Sequence, residues 1–316
     1  MEFTPKFFDP LSAGGFKAGA ESIGFTVGPR QEDTYIYSAR VVLALNVALA
    51  TKRPLLVSGE PGSGKSSLAR NAASVLRRVY YERVITSRTQ AADLLWKFDA
   101  LRRLSDATAG AHRQKLLQVS EYIEPGPMWR AFDPSGATKA RGAITRLDSG
   151  SDSGDIDAVL LLDEIDKADP DVPNDLLEPF GAKSFTVRET GEQITATRDV
   201  LLILTTNGER ELPPAFLRRC VVLAIEPPTK NWFIEIAKRK LGDKLGSLYE
   251  NVADRIMDLR QAAMTAGQRP PGTSEFLDAV EACRQLTVDG ASEAFDAITR
   301  AAAWKQPESV PAQREF

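Results

Sequence analysis

A glycine-rich segment that ends in lysine and serine is the first part of the chain whose residue types and spacing indicate chemistry. Residues 59–66 read Gly-Glu-Pro-Gly-Ser-Gly-Lys-Ser and follow the apolar segment Leu55–Val57. Glycines allow backbone N–H groups to close around phosphates, and a helix starting at Lys65 adds the positive end of its dipole. Lys65 would neutralise the β- and γ-phosphates of a nucleotide, and Ser66 would offer its hydroxyl to Mg²⁺. The residues expected to hold the phosphates are Gly59, Glu60, Pro61, Gly62, Ser63, Gly64, Lys65, Ser66 and Ser67.

Two adjacent carboxylates follow a second apolar segment, Val159–Leu162. A buried strand that ends in Asp163 would bring a carboxylate beside the phosphate loop, where it holds Mg²⁺ through the water shell of the ion. Glu164 would point the other way by strand alternation and would orient and deprotonate an attacking water. Ser66 and Asp163 are therefore the expected magnesium residues. A surface turn after a strand is the alternative interpretation of the two carboxylates.

Asn207 follows a third apolar segment, residues 200–205. An amide at the exit of a strand can hydrogen-bond the γ-phosphate or the water without adding a charge that competes for Mg²⁺. The alternative interpretation is an ordinary turn residue.

Two arginines, Arg218 and Arg219, stand at the end of a short helical stretch. Their distance along the chain does not place them near the nucleotide of the same subunit. A guanidinium supplied by a neighbouring subunit would stabilise the charge that develops during phosphoryl transfer. Taken alone, the pair would favour a structural salt bridge, but the three preceding strand motifs favour action in trans.

Apolar segments alternate with helical patterns from residue 35 to residue 227. The pattern predicts a helix from Tyr35 to Ala50, a second helix from Lys65 to about Arg78, and strands at 54–58, near 83–86, at 159–163 and at 200–205. Buried apolar strands separated by helices are typical of a parallel sheet covered on both faces. We therefore expect a three-layer α/β domain with a parallel central sheet.

The rest of the chain divides into segments of different character. Beyond Pro227-Pro228 the pattern is helical to about Trp304, which predicts a smaller, all-helical lid domain. Breaks in that helical pattern are expected at Gly242, Gly246, residues 270–272 and Gly290. The expected boundaries are 1–34 for an N-terminal arm, 35–227 for the α/β core, 228–305 for the lid and 306–316 for a C-terminal tail. Within the core we expect a helical insert at about 89–120, a long mobile loop from Asp133 to Asp157 and a β-hairpin at about 184–198.

Composition excludes several classes of function. The net charge is −3, so the chain as a whole has no positive field for nucleic acid, and nucleic acid is not an expected partner. Two cysteines and one histidine, His112, are too few for a disulfide framework or a histidine-rich metal site. No apolar run is long enough to span a membrane, and a cytoplasmic location is expected. A local basic stripe favours a solvated helical face; its members are Arg70, Arg77, Arg78, Arg83, Arg88, Lys97, Arg102 and Arg103.

The order of these motifs resembles that of an AAA+ P-loop ATPase, and the finer details resemble the MoxR family. The likeness runs from about Tyr35 to Glu226 and is carried by residues 91–104, 162–168, 174–177 and 209–220. The resemblance implies that the chain hydrolyses ATP with Mg²⁺ and forms a homo-oligomeric ring, expected to be a hexamer. It further implies that the insert and the hairpin project from the ring. The partners it implies are a client protein that is remodelled, assembled or activated, and a protein with a von Willebrand factor A domain.

One departure from the family concerns the lid. Lids of the family commonly place an arginine that reaches the nucleotide, whereas this chain has Glu275 at the expected site. Arg269 in the adjacent loop is an open alternative. Two other functions are also considered: a motor subunit of a defence or nucleic-acid-processing system, supported by the basic stripe and the hairpin, and a module that binds nucleotide without hydrolysing it. The intact Asp163 and Glu164 disfavour the last.

Overall fold

The computed structural model describes residues 4–10, 24–27, 35–109, 118–140, 156–288, 290 and 292–303. These residues fall into two compact units. The first unit holds the described residues up to 27, residues 35–58 and the described residues of 65–224, and the second holds residues 59–64 and the described residues from 225 onward. His112, Trp304, the expected tail and most of the expected N-terminal arm lie outside the described residues.

Strands belong to the first unit. Their bounds are β1 Gly24–Val27, β2 Tyr35–Ser38, β3 Leu55–Ser58, β4 Val79–Val84, β5 Trp96–Phe98, β6 Ile123–Pro125, β7 Ala158–Asp163, β8 Ser184–Thr186, β9 Gln193–Thr195, β10 Val200–Thr206 and β11 Val221–Ala224.

Helices occur in both units. Those of the first unit are α1 Ala39–Thr51, α2 Lys65–Leu76, α3 Ala91–Leu95, α4 Ala100–Ala109, α5 Pro127–Phe132, α6 Pro134–Ala140, α7 Val172–Ala182 and α8 Pro214–Leu217. Those of the second unit are α9 Lys230–Leu241, α10 Gly246–Thr265, α11 Thr273–Gln285 and α12 Glu293–Ala303.

Parallel strands form the central sheet, which in the described part of the chain has the order β11-β3-β10-β7-β4. The register pairs Thr206 with Ser58 and Leu204 with Leu162. β7 and β10 are buried along most of their length, because their continuous apolar runs suit strands covered on both faces. The carboxyl ends of β3, β7 and β10 thus meet at one edge of the sheet, here called the carboxyl edge; the opposite edge is the amino edge.

Helices pack on this sheet and complete the predicted three-layer α/β fold. α1 packs on β3 and β11, α2 on β4, β7 and β10, and α5 on β4 and β7. A cluster of buried aromatic rings, which includes Trp129, Phe132, Phe180 and Phe185, fills the space around α5, α7 and the hairpin of β8 and β9. The fold class predicted from the strand pattern is therefore confirmed.

Part of the expected N-terminal arm packs on α1. The buried Asn46 side chain accepts backbone N–H groups of Lys6, Phe7 and Phe8 at 2.8–3.1 Å through Oδ1. Its Nδ2 donates to the carbonyls of Phe8 and Val42 at 2.7 and 2.9 Å. The side-chain amide of Asn46 therefore satisfies backbone groups of residues 6–8 that a neighbouring strand would otherwise satisfy. The ring of Phe8 is fully buried.

Several predicted elements of the first unit are wrong in detail. The helix predicted from Tyr35 begins at Ala39, because Tyr35–Ser38 pairs as β2 with β1, and the Ser38 hydroxyl caps the helix by accepting the N–H of Val41 at 3.3 Å. The strand predicted near 83–86 lies at 79–84, and β11 was not predicted.

The insert and the predicted loop also differ from expectation. β5 interrupts the insert and pairs with β6, so residues 89–120 are not uniformly helical. The start of the stretch predicted as a mobile loop is the helix α6, because the Asp133 carboxylate accepts the N–H of Gly136 at 2.9 Å and caps that helix. Residues 141–155 of the predicted loop lie outside the described residues.

The second unit is helical, as the sequence predicts, and its helices end near the predicted breaks at Gly242 and residues 270–272. Phe233 of α9 stacks on Phe276 of α11 with ring centroids 4.7 Å apart. Among the described helices of both units, none contains an apolar stretch of membrane-spanning length.

Candidate nucleotide-binding site

Four polar side chains meet at the carboxyl edge, two from the start of α2 and two from the ends of the neighbouring strands β7 and β10. Lys65 and Ser66 begin α2, Asp163 ends β7, and Asn207 follows β10. Lys65 Nζ donates to Asn207 Oδ1 at 2.7 Å, and Ser66 Oγ donates to Asp163 Oδ2 at 2.8 Å. Lys65 is only 6% exposed. The structure therefore brings these predicted residues together within hydrogen-bond distance.

Glu164 joins the same network through Asn207 and Thr205. Asn207 Nδ2 donates to Glu164 Oε1 at 3.1 Å. The Thr205 hydroxyl donates to Asp163 Oδ1 and accepts the backbone N–H of Glu164 at 2.9 Å. Sequence reasoning missed Thr205, although a polar residue in an otherwise apolar strand was a signal that could have found it.

The backbone of Glu164 corrects one expectation. Its φ of 61° and ψ of 49° lie in the left-handed region, which costs a non-glycine residue about 1 kcal/mol or more. Glu164 stands beyond the end of β7 and begins the 3-10 turn Ile165–Lys167. A left-handed turn, rather than strand alternation, therefore sets the direction of this carboxylate.

A lysine in that turn contacts the same carboxylate. Lys167 Nζ lies 2.7 Å from Glu164 Oε2, and this hydrogen bond raises the pKa of Lys167. Sequence reasoning did not single out Lys167. The Glu164 carboxylate is thus held on one oxygen by an amide and on the other by a cation.

Asp166 supports the loop that carries Asn207. Its carboxylate, 2% exposed, accepts the backbone N–H groups of Asn207 at 3.2 Å and Glu209 at 2.9 Å on one oxygen. The sequence placed Asp166 in a family-like motif but assigned it no role. The side chain ties the turn after β7 to the turn after β10.

The glycine-rich loop itself, residues 59–64, packs within the second unit. Gly62 and Gly64 have φ of 76° and 91°, a conformation that turns successive N–H groups toward one side. The Ser63 hydroxyl is buried and has no hydrogen-bond partner among the described residues. Polar groups left over in a loop of this shape fit an anionic ligand.

Helices of the second unit hold this loop. Arg260 of α10, 2% exposed, pairs with Glu60 at 2.9 Å. At Gly272 an added Cβ would lie 2.9 Å from the carbonyl oxygen of Pro61, so only glycine permits this close approach.

Glu275 and Arg269 also lie beside the loop. Glu275 Oε1 accepts a hydrogen bond from Arg269 at 2.9 Å, and its Oε2 accepts the N–H of Gly272 at 3.0 Å. A Cβ added at Gly62 would lie 3.0 Å from Glu275 Oε2 and 3.6 Å from Arg269 Nη2. The acidic residue at the expected arginine position is therefore used to cap α11 and to hold Arg269 near the loop.

The oxygen ligands at the carboxyl edge suit Mg²⁺. Ser66 Oγ and Asp163 Oδ2 form a hydroxyl–carboxylate pair, and Mg²⁺ is usually bound by one or two such protein oxygens plus water and phosphate oxygens. Within the described ranges, no three His, Cys, Asp or Glu side chains are grouped as they would be around a metal bound by protein alone. Ser67 lies exposed on the first turn of α2, where its side chain faces solvent rather than the network.

Arg218 and Arg219 lie at the other edge of the sheet. They follow α8 and precede β11, whose register with β3 places them at the amino edge. Both side chains are exposed and have no hydrogen-bond or ion-pair partner in the described parts of the chain. The structure does not bring them to the network around Asp163.

Comparison with known proteins gives one family and a set of distant folds. No curated protein sequence matches the chain. Solved structures similar to it include a proline-to-glycine point mutant of RuvB from Thermotoga maritima, 18% identical over 86% of this chain and 70% of that chain, with a TM-score of 0.45. Another is the Thermotoga maritima RuvB Holliday junction branch migration motor, 18% identical over 83% of this chain and 66% of that chain, with a TM-score of 0.42. The family model described as AAA domain (dynein-related subfamily) matches residues 54–220, more than half of the chain, and the chain belongs to this family of AAA ATPase domains.

Proposed function

We propose that this chain hydrolyses ATP to ADP and phosphate with Mg²⁺ and uses the energy to remodel, assemble or activate a client protein. The observation that carries the proposal is a hydrogen-bond network at one edge of a parallel sheet, in which Thr205 links Lys65, Asn207 and Glu164 to Asp163 and Ser66. A lysine, a hydroxyl, two carboxylates and an amide at this edge are the groups that phosphoryl transfer requires.

Each side chain has a role that its contacts support. Lys65 neutralises the β- and γ-phosphates, while Ser66 and Asp163 hold Mg²⁺, which lowers the charge on the reacting phosphate. Glu164 orients and deprotonates the attacking water, and Asn207 fixes both Glu164 and the transferred phosphate. Gly59, Glu60, Pro61, Gly62, Ser63 and Gly64 contribute backbone N–H groups, and Ser67 completes the first turn of α2.

Arg218 and Arg219 act on the nucleotide of a neighbouring subunit. The four residues of β11 separate them from the carboxyl edge by about 13 Å, more than a guanidinium side chain spans. Exposed, unpaired guanidinium groups at a remote edge suit action in trans within a ring. A homohexamer is the assembly we propose.

The finer assignment is to the MoxR branch of the class, with residues 35–227 as the core and 228–305 as the lid. Its support is the motif resemblance together with the joined insert and hairpin. Trp96 of β5 stacks on Phe185 of β8 with centroids 5.8 Å apart, and its Nε1 donates to Glu189 at 2.6 Å. The insert and the hairpin thus form one surface on which a client, or a partner with a von Willebrand factor A domain, binds.

The basic stripe favours this function over a nucleic-acid motor. Arg70 pairs with Glu82 and Arg78 with Asp157, each at 3.0 Å, and Arg102 lies over the ring of Tyr122. Part of the basic stripe is therefore already paired with carboxylates or an aromatic ring of the same chain, which leaves fewer positive charges for a nucleic acid.

Changing Glu164 to Gln tests the proposal. The variant keeps the shape and the contact with Asn207 but loses the base, so ATP binding is retained while phosphate release falls at least about 100-fold. Calorimetry with ATP and Mg²⁺ and a phosphate-release assay measure the two quantities. Glu211→Gln, which makes the same substitution at an exposed carboxylate, is the matched control. Unchanged turnover in Glu164→Gln would contradict the assignment.

Subunit mixing tests the action in trans. Arg218→Ala and Arg219→Ala subunits have intact nucleotide sites, and Lys65→Ala subunits have intact arginines. Mixed rings should hydrolyse ATP faster than the sum of the separate variants. Affinity capture with Glu164→Gln then identifies the client; recovery of nucleic acid in place of protein would favour the motor alternative.

A further inference from the structure

Arg53, in the turn between α1 and β3, hydrogen-bonds the backbone of the segment that carries Arg218 and Arg219. Its Nε donates to the carbonyl of Arg219 at 3.1 Å, and its Nη2 donates to the carbonyls of Cys220 at 2.9 Å and of Arg218. A single guanidinium thus serves three consecutive carbonyl groups. No motif in the sequence singled out Arg53.

The Arg218 carbonyl stands at the end of a very short helix, and the carbonyls of Arg219 and Cys220 lie in the turn that follows it. α8 has four residues, and Arg218 is its C-terminal cap. The last carbonyls of a helix accept no hydrogen bond inside it and are commonly satisfied by a basic side chain. Beyond them, the N–H of Val221 donates to the carbonyl of Pro54 at 2.8 Å and starts the pairing of β11 with β3. Residues 53 and 54 therefore fix the whole segment 218–221.

The side chains of Arg218 and Arg219 extend into solvent. Arg218 and Arg219 are exposed, and together with Arg53 they line an open cleft of about 680 Å³ beside Asn174 and Glu178 of α7. Their backbone is held, while their guanidinium groups have no partner within the described part of the chain. Such an arrangement orients the two guanidinium groups and leaves them free to bind another molecule.

Accurate placement matters for a group that stabilises a transition state. Catalytic groups work when held within about 0.5 Å of the productive geometry, and a shift of about 1 Å can cost roughly 100-fold in rate. Long arginine side chains on a loose turn would not meet that requirement.

We propose that Arg53 is a positioning residue for the trans-acting arginines: it holds the carbonyls of residues 218–220 so that the guanidinium groups of Arg218 and Arg219 reach the neighbouring subunit's nucleotide. This inference rests on the proposed action of Arg218 and Arg219 in trans. Arg53 itself touches no nucleotide, and its effect on hydrolysis passes through the turn it holds.

The first test is ATP hydrolysis by Arg53→Ala. We expect kcat to fall about 10-fold while KM for ATP changes little, because the nucleotide site of the same subunit is intact. Arg53→Lys keeps the charge but offers one nitrogen to three carbonyls. Its kcat should therefore lie between that of the unchanged protein and that of Arg53→Ala. Arg78→Gln is the control: Arg78 stands at the same amino edge but pairs with Asp157.

Mixing separates positioning from loss of fold. Arg53→Ala subunits mixed with Lys65→Ala subunits should regain activity above the sum of the two, since each Arg53→Ala nucleotide site can then meet a well-placed arginine pair. A misfolded Arg53→Ala chain would regain nothing.

Cys220 provides a readout that does not depend on hydrolysis. It is 5% exposed, and burial raises its pKa to about 11, so it should react slowly with a thiol reagent. Release of the turn in Arg53→Ala should speed modification of Cys220 about 10-fold or more, whereas the buried Cys283 of the second unit should stay slow. If both cysteines react quickly, the chain has unfolded, and the same measurements on Arg53→Lys decide the matter.

The outcomes are distinct. Rescue by mixing for Arg218→Ala and Arg219→Ala but not for Arg53→Ala, or unchanged kcat and Cys220 reactivity in Arg53→Ala, overturns the role of Arg53 alone. Absence of rescue for all three variants overturns the action in trans and this inference with it. Reduced kcat, rescue by mixing and selective exposure of Cys220 together support it.

Discussion

At the carboxyl edge of the sheet, side-chain hydrogen bonds join Lys65 to Asn207 and Ser66 to Asp163. At the amino edge, by contrast, the hydrogen bonds of the turn are made by its backbone, and Arg218 and Arg219 extend unpaired into solvent. The polar side chains of one edge are partnered within the chain, whereas the two arginines of the other edge are exposed. Under the proposed function, the same sheet would carry groups for its own nucleotide at one edge and groups for a neighbour's nucleotide at the other.

The largest effect is expected from Lys65→Ala at the carboxyl edge. If Lys65 neutralises the phosphates as proposed, its removal should lower kcat/KM for ATP about 1000-fold, because no other cation is hydrogen-bonded to Asn207 in the described residues. Phosphate release at several ATP concentrations measures it. Lys183→Ala, which removes a lysine paired with Asp199 at the amino edge, should leave the rate within about twofold. Equal losses in the two variants would erase the contrast between the edges.

A void in the middle of the sheet should damage both edges together. Leu161 of β7 is fully buried, and Leu161→Ala should lower the free energy of unfolding by about 3 kcal/mol. Denaturant unfolding measures this change, and Leu101→Ala, at a residue 80% exposed, should change the stability by less than about 0.5 kcal/mol. A loss below about 1 kcal/mol for Leu161→Ala would argue against the buried position of β7.

Asp166→Ala tests whether the loop after β10 is held in place by the Asp166 carboxylate. The substitution leaves the N–H groups of Asn207 and Glu209 without their acceptor. The loss should destabilise the position of the Asn207 loop by about 2 kcal/mol and lower kcat about 30-fold. Asp166→Asn retains an oxygen acceptor and should recover most of the rate. If the two variants behave alike, the carboxylate does not act by holding these N–H groups.

The smallest effect is expected at an ion pair of the amino edge. Lys52 and Lys183 lower the pKa of Asp199 to about 2. A lowered carboxylate pKa stabilises the fold at pH above about 4, and this contribution is lost as the pH falls toward 2. Because all three side chains are about one third to one half exposed, Asp199→Asn should cost only about 1 kcal/mol at pH 7. Unfolding curves of both proteins should converge near pH 2; a constant difference would contradict the assignment.

The strands of the central sheet that carry the candidate site were predictable because an apolar run in each is followed by a polar residue. Asp163 and Asn207 could be placed at one edge from the rule that parallel strands align their carboxyl ends. The left-handed turn at Glu164 could not, since local sequence gives no sign that a glutamate adopts it. Lys167 and Asp166 were missed for the same reason: their contacts depend on that turn.

Elements set by distant partners were the least predictable. β5 forms because Trp96–Phe98 finds a partner 25 or more residues away in Ile123–Pro125, which a helical pattern in the insert conceals. β2 and β11 are four residues long and owe their strand form to pairing with β1 and β3. The hydrogen bonds from Arg53 to residues 218–220 join parts of the chain more than 160 positions apart, and no sequence spacing predicts such a contact.

The left-handed backbone at Glu164 has a consequence for how this position tolerates change. Glycine and asparagine adopt that conformation more readily than glutamate, and neither is a base. Either replacement at position 164 should therefore relieve backbone strain and stabilise the fold while removing the base on which the proposed hydrolysis depends.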